Sequence, residues 1–176
     1  MGKSAGSPAK AGRDRITGSD NRQCNDESPP ARGWTKRGQQ TKGKSRAGIS
    51  TKVHIAVTAG GHLVEGFLTG GEVSDVKAGP ELTKEVIGCP VIADHGYDSD
   101  GFRQYLRGNN NTPVIPGRKN RKEEVEYDRE RYNKRGLIER IFGKIKENRR
   151  MAVRYEKSDI NFLNFIIIAF IKIELC

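Results

Sequence analysis

Residues 89–103 read CPVIADHGYDSDGFR. Cys89 to Ala93 form a short, continuous apolar run, the pattern of a strand buried on both faces. Asp94 stands at its carboxyl end, ahead of His95-Gly96. Ser99 or Asp100 then supplies a side-chain oxygen to cap a helix over about Gly101 to Arg107. Strand, acid and capped helix together make one unit of an α/β sheet.

Reading outward from this unit supplies its neighbours. Upstream, TKVHIAV alternates polar and apolar residues and reads as a strand; Gly60-Gly61 is a hairpin turn, and HLVEGFL is the antiparallel partner. Ser74 or Asp75 caps a helix from about Lys77 to Ile87. Downstream, Asn109 to Asn111 is a turn and Thr112 to Ile115 a short strand. A basic loop follows, then a helix over Tyr132 to Arg149 and an apolar helix over about Ile160 to Leu175. This order predicts an α/β domain with a mixed sheet.

Composition narrows the function classes. The chain has 176 residues, which sets a prior of one domain, and its net charge is +10. A pI near 9.7 points to a polyanionic partner, nucleic acid before anionic membrane. Cys24, Cys89 and Cys176 are scattered, without a C-x2-C pair, which argues against a zinc ribbon or disulfide framework. The basic N-terminus lacks the apolar region of a secretory signal. The longest apolar stretch, around Ile166 to Ile171, is too short to span a bilayer. A cytoplasmic, DNA-associated protein is expected.

Charge concentrates where the second signal lies. Tyr132, Arg135, Glu139 and Lys146 fall within roughly 60° of one another on a helical wheel. A carboxylate between two cations and a phenol is a poor core stripe but a good way to hold a metal-binding acid beside a phosphate backbone. A solvated charged face accounts for the same spacing. Residues 118–154 contain 14 Lys or Arg against seven Asp or Glu, which favours phosphate contact. Arg118, Lys119 and Arg149 join the candidate DNA contacts.

The chemistry that fits is metal-assisted. Mg²⁺ is hard, prefers oxygen, and needs only one or two protein carboxylates when phosphates complete its shell. Two such ions clamp the attacking and leaving oxygens of a phosphodiester displacement. Asp94, after the most apolar strand, and Glu139, on the charged helix, are the best pair. Asp94 alone also reads as a turn residue, and Asp98 and Asp100 read as caps. His54, on an alternating strand, reads as a packed or hydrogen-bonded histidine; His95 is given no role.

IADHGYDSDGFR followed by the Y-R-E-K helix resembles the insertion-sequence transposases of the DDE superfamily, most closely those of insertion-sequence 4 and 5 type. SRAGISTKVH, LTGGEVSD, VIPGRKNRK and NRRMAVRYEK resemble further blocks of that group in the expected order, over about residues 43 to 176. The resemblance implies an RNase H-like mixed sheet flanked by helices, Mg²⁺ dependence with Mn²⁺ able to substitute, and DNA cleavage and strand transfer. The implied partners are the terminal inverted repeats and target DNA, with a homodimer. Asp94 becomes the second catalytic aspartate and Glu139 the catalytic glutamate, both metal ligands. Tyr132, Arg135 and Lys146 would grip the element's end.

Two departures stand out. Asn148 occupies a position where relatives often have an aromatic residue. The first catalytic aspartate, carried by the family in a D-S-T block some 25 residues before S-R-G-G, has no convincing counterpart; Asp20 falls there by spacing alone. Back-translating Asn21 to Thr35 and reading from the second base yields IDSATMRAHQHAAGQ, which resembles that block. The expectation is therefore a disordered basic tail over 1–44, translated out of frame, ahead of a partial catalytic domain over 45–176 that lacks its first strand. The competing expectation is a non-catalytic DNA-binding remnant.

Overall fold

The computed structural model describes residues 15–23, 43–45 and 48–175. Along the chain run β1 (Arg15–Gln23), β2 (Gly43–Ser45), β3 (Gly48–Thr58), β4 (Leu63–Gly70), α1 (Asp75–Leu82) and β5 (Pro90–Ile92). A 3₁₀ turn (His95–Tyr97) leads to α2 (Asp100–Gly108) and β6 (Thr112–Val114). The chain ends in α3 (Arg129–Asn133), α4 (Gly136–Lys146), α5 (Arg149–Ala152) and α6 (Asp159–Leu175).

The sheet runs β4-β3-β1-β5-β6, with β2 on the first residues of β3. The β1–β3 and β3–β4 pairs are antiparallel; β1–β5 and β5–β6 are parallel. With helices on both faces, this is the RNase H-like mixed arrangement that the resemblance implies. The alternation in TKVHIAV builds both cores. Val53, Ile55 and Val57 pack with Ile138, Phe142, Phe162 and Ile166 of α4 and α6. Ala56 packs on the other face with Leu82, Phe102 and Leu106 of α1 and α2. In β5, Val91 belongs to one core and Ile92 to the other, as a strand covered on both sides requires. The β3–β4 hairpin closes through Thr58 N–H donating to His62 O at 2.9 Å, with Gly61 at φ +90°.

The expectation that the first strand is missing is not met. Residues 15–23 lie inside the tail expected to be disordered, yet they form β1 at the centre of the sheet. RITGSDNRQ has one large apolar residue and no alternation. Its strand state comes from neighbours: β3 pairs with all nine residues on one side, and β5 meets Arg15 and Ile16 on the other. Tertiary context overrides weak local preference. Gly43 and Lys44, at the end of that tail, belong to β2. The remaining tail positions and the reading-frame expectation lie outside the described residues.

The single helix read over Tyr132 to Arg149 is jointed. Arg135 N–H donates to Tyr132 O at 2.9 Å, Leu137 N–H to Lys134 O at 3.0 Å and Ile138 N–H to Arg135 O at 3.0 Å. These are i→i−3 bonds, a tight 3₁₀ link between α3 and α4 beside the weak helix former Gly136. At the other end, Asn148 caps α5 by accepting from Arg150 N–H at 3.1 Å. The helix α1 stops at Leu82, five residues before the expected end; it contains Pro80, and Thr83 Oγ1 donates back to Gly79 O at 2.9 Å. Among the described residues no helix is long and apolar enough to cross a membrane.

Candidate active site

Asp94, Glu139, Tyr97, Arg135 and Asp75 line one cavity of about 180 Å³, together with Thr17 and Gly18 of β1. Each arrives by its own route. Asp94 follows β5 and caps the 3₁₀ turn, accepting from His95 N–H at 2.7 Å. Its Oδ1 is also 2.6 Å from His95 Nδ1. Glu139 projects from the first turn of α4.

Arg135 joins the two acids. Its Nη2 is 2.9 Å from Glu139 Oε1, and its Nη1 is 3.7 Å from Asp94 Oδ2. The Arg135 guanidinium also lies 5.5 Å from the Tyr132 ring centroid. Tyr132 Oη donates to Asp94 Oδ1 at 3.4 Å. Burial, followed by nearby Asp94, pushes the Tyr132 phenol above its ordinary value, although Arg135 opposes the shift. Three residues of the Y-R-E-K pattern thus converge with Asp94 despite the helix joint. The fourth does not: Lys146 is exposed two turns further on, about 10 Å along the helix axis.

The turn carrying Asp94 is held by Asp98, whose side chain is 2% exposed. It accepts from Arg103 Nε at 2.9 Å, Arg121 Nη1 at 3.0 Å and Arg118 N–H at 2.9 Å. Burial raises its pKa, but these three donors together outweigh burial and hold it below the ordinary carboxylate range. The reading of Asp98 as a helix cap is therefore corrected. Ser99 makes the cap, accepting from Phe102 N–H at 3.1 Å. Arg118 also donates from Nε to His95 O at 3.3 Å and from Nη2 to Gly96 O at 2.9 Å. It braces the turn, while its neighbour Lys119 is exposed beside a basic hollow lined by His95 and residues 116–121. Arg149 is exposed at the start of α5.

Sequence reasoning missed Asp75 as a cavity residue. It reads as a cap, and it does open α1. Its Oδ1 meets Lys52 Nζ at 3.1 Å, and a Cβ on Gly96 would come within 2.8 Å of its Oδ2. Glycine at 96 lets the turn close onto Asp75. The signal was faint: Lys52 and Asp75 are 23 residues apart with no shared periodicity.

The resemblance implies a further aspartate on the first strand, for which Asp20 is the candidate by spacing alone. In the parallel register Ile16 lies opposite Ile92; Gly18, two residues further along β1, and Asp94, two residues past the end of β5, line the same cavity. Among the described residues, β1 lines the cavity with Thr17 and Gly18, neither of them an acid. Asp20 is in β1 with its backbone paired to Val53; its side chain lies outside the described residues. Among the described residues no group of three His, Cys, Asp or Glu is placed to hold a metal ion. Asp94 and Glu139 nevertheless offer an all-oxygen donor set, and the Arg135 guanidinium already stands between them as a cation. That arrangement suits one hard divalent ion whose remaining ligands come from elsewhere.

Residues 14–171 match the family described as the transposase DDE domain. A Brucella ovis protein named as a transposase for insertion sequence element IS6501 is 33% identical over 123 residues, covering 69% of this chain and 95% of that protein. A Burkholderia cepacia protein named as a transposase for insertion sequence element IS402 is 30% identical over 182 residues, covering 96% of this chain and 79% of that one. Among solved structures, a piggyBac transposase synaptic complex with hairpin DNA has a TM-score of 0.45 at 17% identity. That likeness covers 65% of this chain and 25% of the other, so this chain spans a quarter of its length.

Proposed function

The chain belongs to the transposase DDE-domain family, and on that premise we propose that it acts on DNA at insertion-sequence ends, with Asp94 and Glu139 as its catalytic carboxylates. Membership in the family implies dependence on a divalent metal ion; we take the ion to be Mg²⁺, with Mn²⁺ able to substitute. Asp94 and Glu139 would hold it, and a bound ion would neutralise charge on the phosphodiester oxygens during cleavage and strand transfer. Tyr132 orients the Asp94 carboxylate. Lys119, Lys146 and Arg149 supply exposed cations for the terminal inverted repeats and the target DNA, while Arg118 fixes the turn under Asp94. A homodimer is part of the same proposal, to be read by light scattering with and without DNA.

The observation that carries this reading is the shared cavity: a strand-end aspartate and a helix glutamate, 45 residues apart in sequence, both contacted by Arg135. A specific observation favours a second reading, that of a DNA-binding remnant with impaired catalysis. Gly18 stands on the β1 wall, and the cavity's third carboxylate, Asp75, is engaged by Lys52 Nζ at 3.1 Å, so a second ion lacks a free anionic ligand to offset repulsion between neighbouring cations.

The test is a cleavage assay on a labelled element end in Mg²⁺ or Mn²⁺. It compares this chain with Asp94→Ala, Asp20→Ala and a frame-corrected protein in which replacement of the upstream segment sets IDSATMRAHQHAAGQ on the central strand. The expected result is salt-sensitive DNA binding with little cleavage by the chain itself, and cleavage gained on replacement. Robust cleavage by this chain, abolished by Asp20→Ala, would establish Asp20 as the third ligand and overturn the impaired reading. Robust cleavage that survives Asp94→Ala would overturn the site.

A further inference from the structure

Arg135 is placed differently from the cations proposed above as DNA contacts. Lys119, Lys146 and Arg149 are exposed on the surface. Arg135 instead turns inward, with only 28% of its side chain exposed, and spends its guanidinium fork on Glu139 at 2.9 Å and Asp94 at 3.7 Å. Those are the two carboxylates assigned above to the divalent ion. A guanidinium and a divalent cation cannot both lie between the same two acids at contact distance, because like charges that close repel strongly. The Arg135 guanidinium carbon lies over the Tyr132 ring, 5.5 Å from its centroid, a cation–π contact that does not depend on the two acids.

We propose that Arg135 is the internal counter-cation of the site in the metal-free protein, displaced when a divalent ion binds and thereby freed for a DNA phosphate. This rests on the site reading above and adds an order to it. The ion enters, Arg135 is released from Asp94 and Glu139, and the released fork takes a phosphate oxygen pair in the bidentate manner arginine favours. Metal and DNA then reinforce each other's binding through one side chain, and the coupling is reciprocal. The short i→i−3 link that carries Arg135 between α3 and α4 supports this, because the residue lies at a joint rather than inside a regular helix.

The experiment is a Mn²⁺ titration followed by electron paramagnetic resonance on the full chain, on Arg135→Gln, on Arg135→Lys and on Asp94→Ala. A competing cation weakens metal binding, so Arg135→Gln is expected to bind Mn²⁺ about three- to tenfold more tightly, from one or two partly exposed ion pairs removed. Arg135→Lys, which keeps the charge and loses the fork, is expected to fall between. Asp94→Ala is expected to lose the site. In parallel, DNA affinity at fixed ionic strength is measured with and without Ca²⁺. The wild-type chain gains affinity with Ca²⁺ beyond the gain of Arg135→Gln. Weaker or unchanged Mn²⁺ binding by Arg135→Gln, with its circular dichroism intact, would show that Arg135 merely positions the acids and would overturn the proposal while leaving the site in place. Mn²⁺ binding indifferent to Asp94→Ala, or absent from every protein tested, would overturn the site reading and this inference together.

Discussion

The cavity at the centre of this domain has two walls of different construction. On the β5 side, Asp94 sits on a turn pinned by side chains: Asp98 gathers Arg103, Arg121 and the Arg118 N–H, and the Arg118 guanidinium grips two carbonyls of the same turn. On the β1 side, the described wall is Thr17 and Gly18, held chiefly through the backbone. β1 is held by its ladder to β3 and a two-residue pairing to β5, with Thr17 Oγ1 donating to Ile92 O at a long 3.4 Å. One wall is fixed by named charges and the other mainly by strand pairing. Where side chains carry the structure, substitution is costly and the sequence is legible. Where the ladder carries it, a residue such as Gly18 can stand at the cavity with no chemistry of its own.

The comparison breaks first at Asp98. Asp98→Ala leaves the Arg103 guanidinium, whose side chain is 4% exposed, without its acid. Removing one partner of a buried pair costs about 3–5 kcal/mol. Urea unfolding should show a loss of that size with an unchanged slope. A loss under about 1 kcal/mol would mean that the charged wall is no better fixed than the backbone wall.

The next largest effect is a pH dependence reporting on β3, the strand that pairs with β1. His54 is fully buried, stacks on Phe67 at 5.3 Å and is 2.8 Å from Thr69 Oγ1 through Nε2. Burial lowers its pKa to about 4, against a smaller opposing pull from Asp75. Its folded-state value thus lies below its unfolded value of 6.5. Above that pH both states are neutral and the histidine adds no slope. As pH falls from 6.5 to 4 the unfolded chain takes the proton first, and stability declines by about 3 kcal/mol in full. His54→Gln should flatten the stability curve in that window relative to the wild type. Parallel curves would show that His54 protonates without disturbing the sheet.

The backbone wall should respond less. A Cβ on Gly18 would lie 2.9 Å from Ile138 Cγ1 and 3.2 Å from its Cγ2, so Gly18→Ala pushes on α4. Overpacking of this kind costs about 1–3 kcal/mol. Thermal melting should place Gly18→Ala between wild type and Asp98→Ala. A larger loss for Gly18→Ala than for Asp98→Ala would reverse the ranking of the walls.

This contrast also explains what could be read in the chain. Alternation in TKVHIAV, the apolar run at 89–93 and the cap at Ser99 are local signals, and the corresponding elements stand where they were read. The placement of Asp94 and Glu139 in one cavity was legible because an apolar run marks the strand end and a helix face has a period. Asp98 was misread because its partners, Arg118 and Arg121, come from a loop some 20 residues away with no period linking them. β1 was missed for the opposite reason: its nine residues carry no pattern, and its neighbours supply the strand. Asp75 required the α1 terminus to meet the 3₁₀ turn, a packing outcome that capping rules do not foresee.

The smallest expected effect lies outside both walls. Lys146 is exposed two helical turns beyond Glu139 and is not among the residues lining the cavity. If it meets DNA, it does so as a cation on a phosphate, not as part of the catalytic group. Such a contact releases about one counterion. Lys146→Ala should therefore weaken binding to element-end and unrelated DNA alike, and reduce the magnitude of the slope of log affinity against log salt by about one. Mn²⁺ affinity should remain unchanged, which separates Lys146 from Arg135. A salt slope identical to wild type would remove Lys146 from the DNA surface and confine phosphate contact to Lys119, Arg149 and the cavity itself.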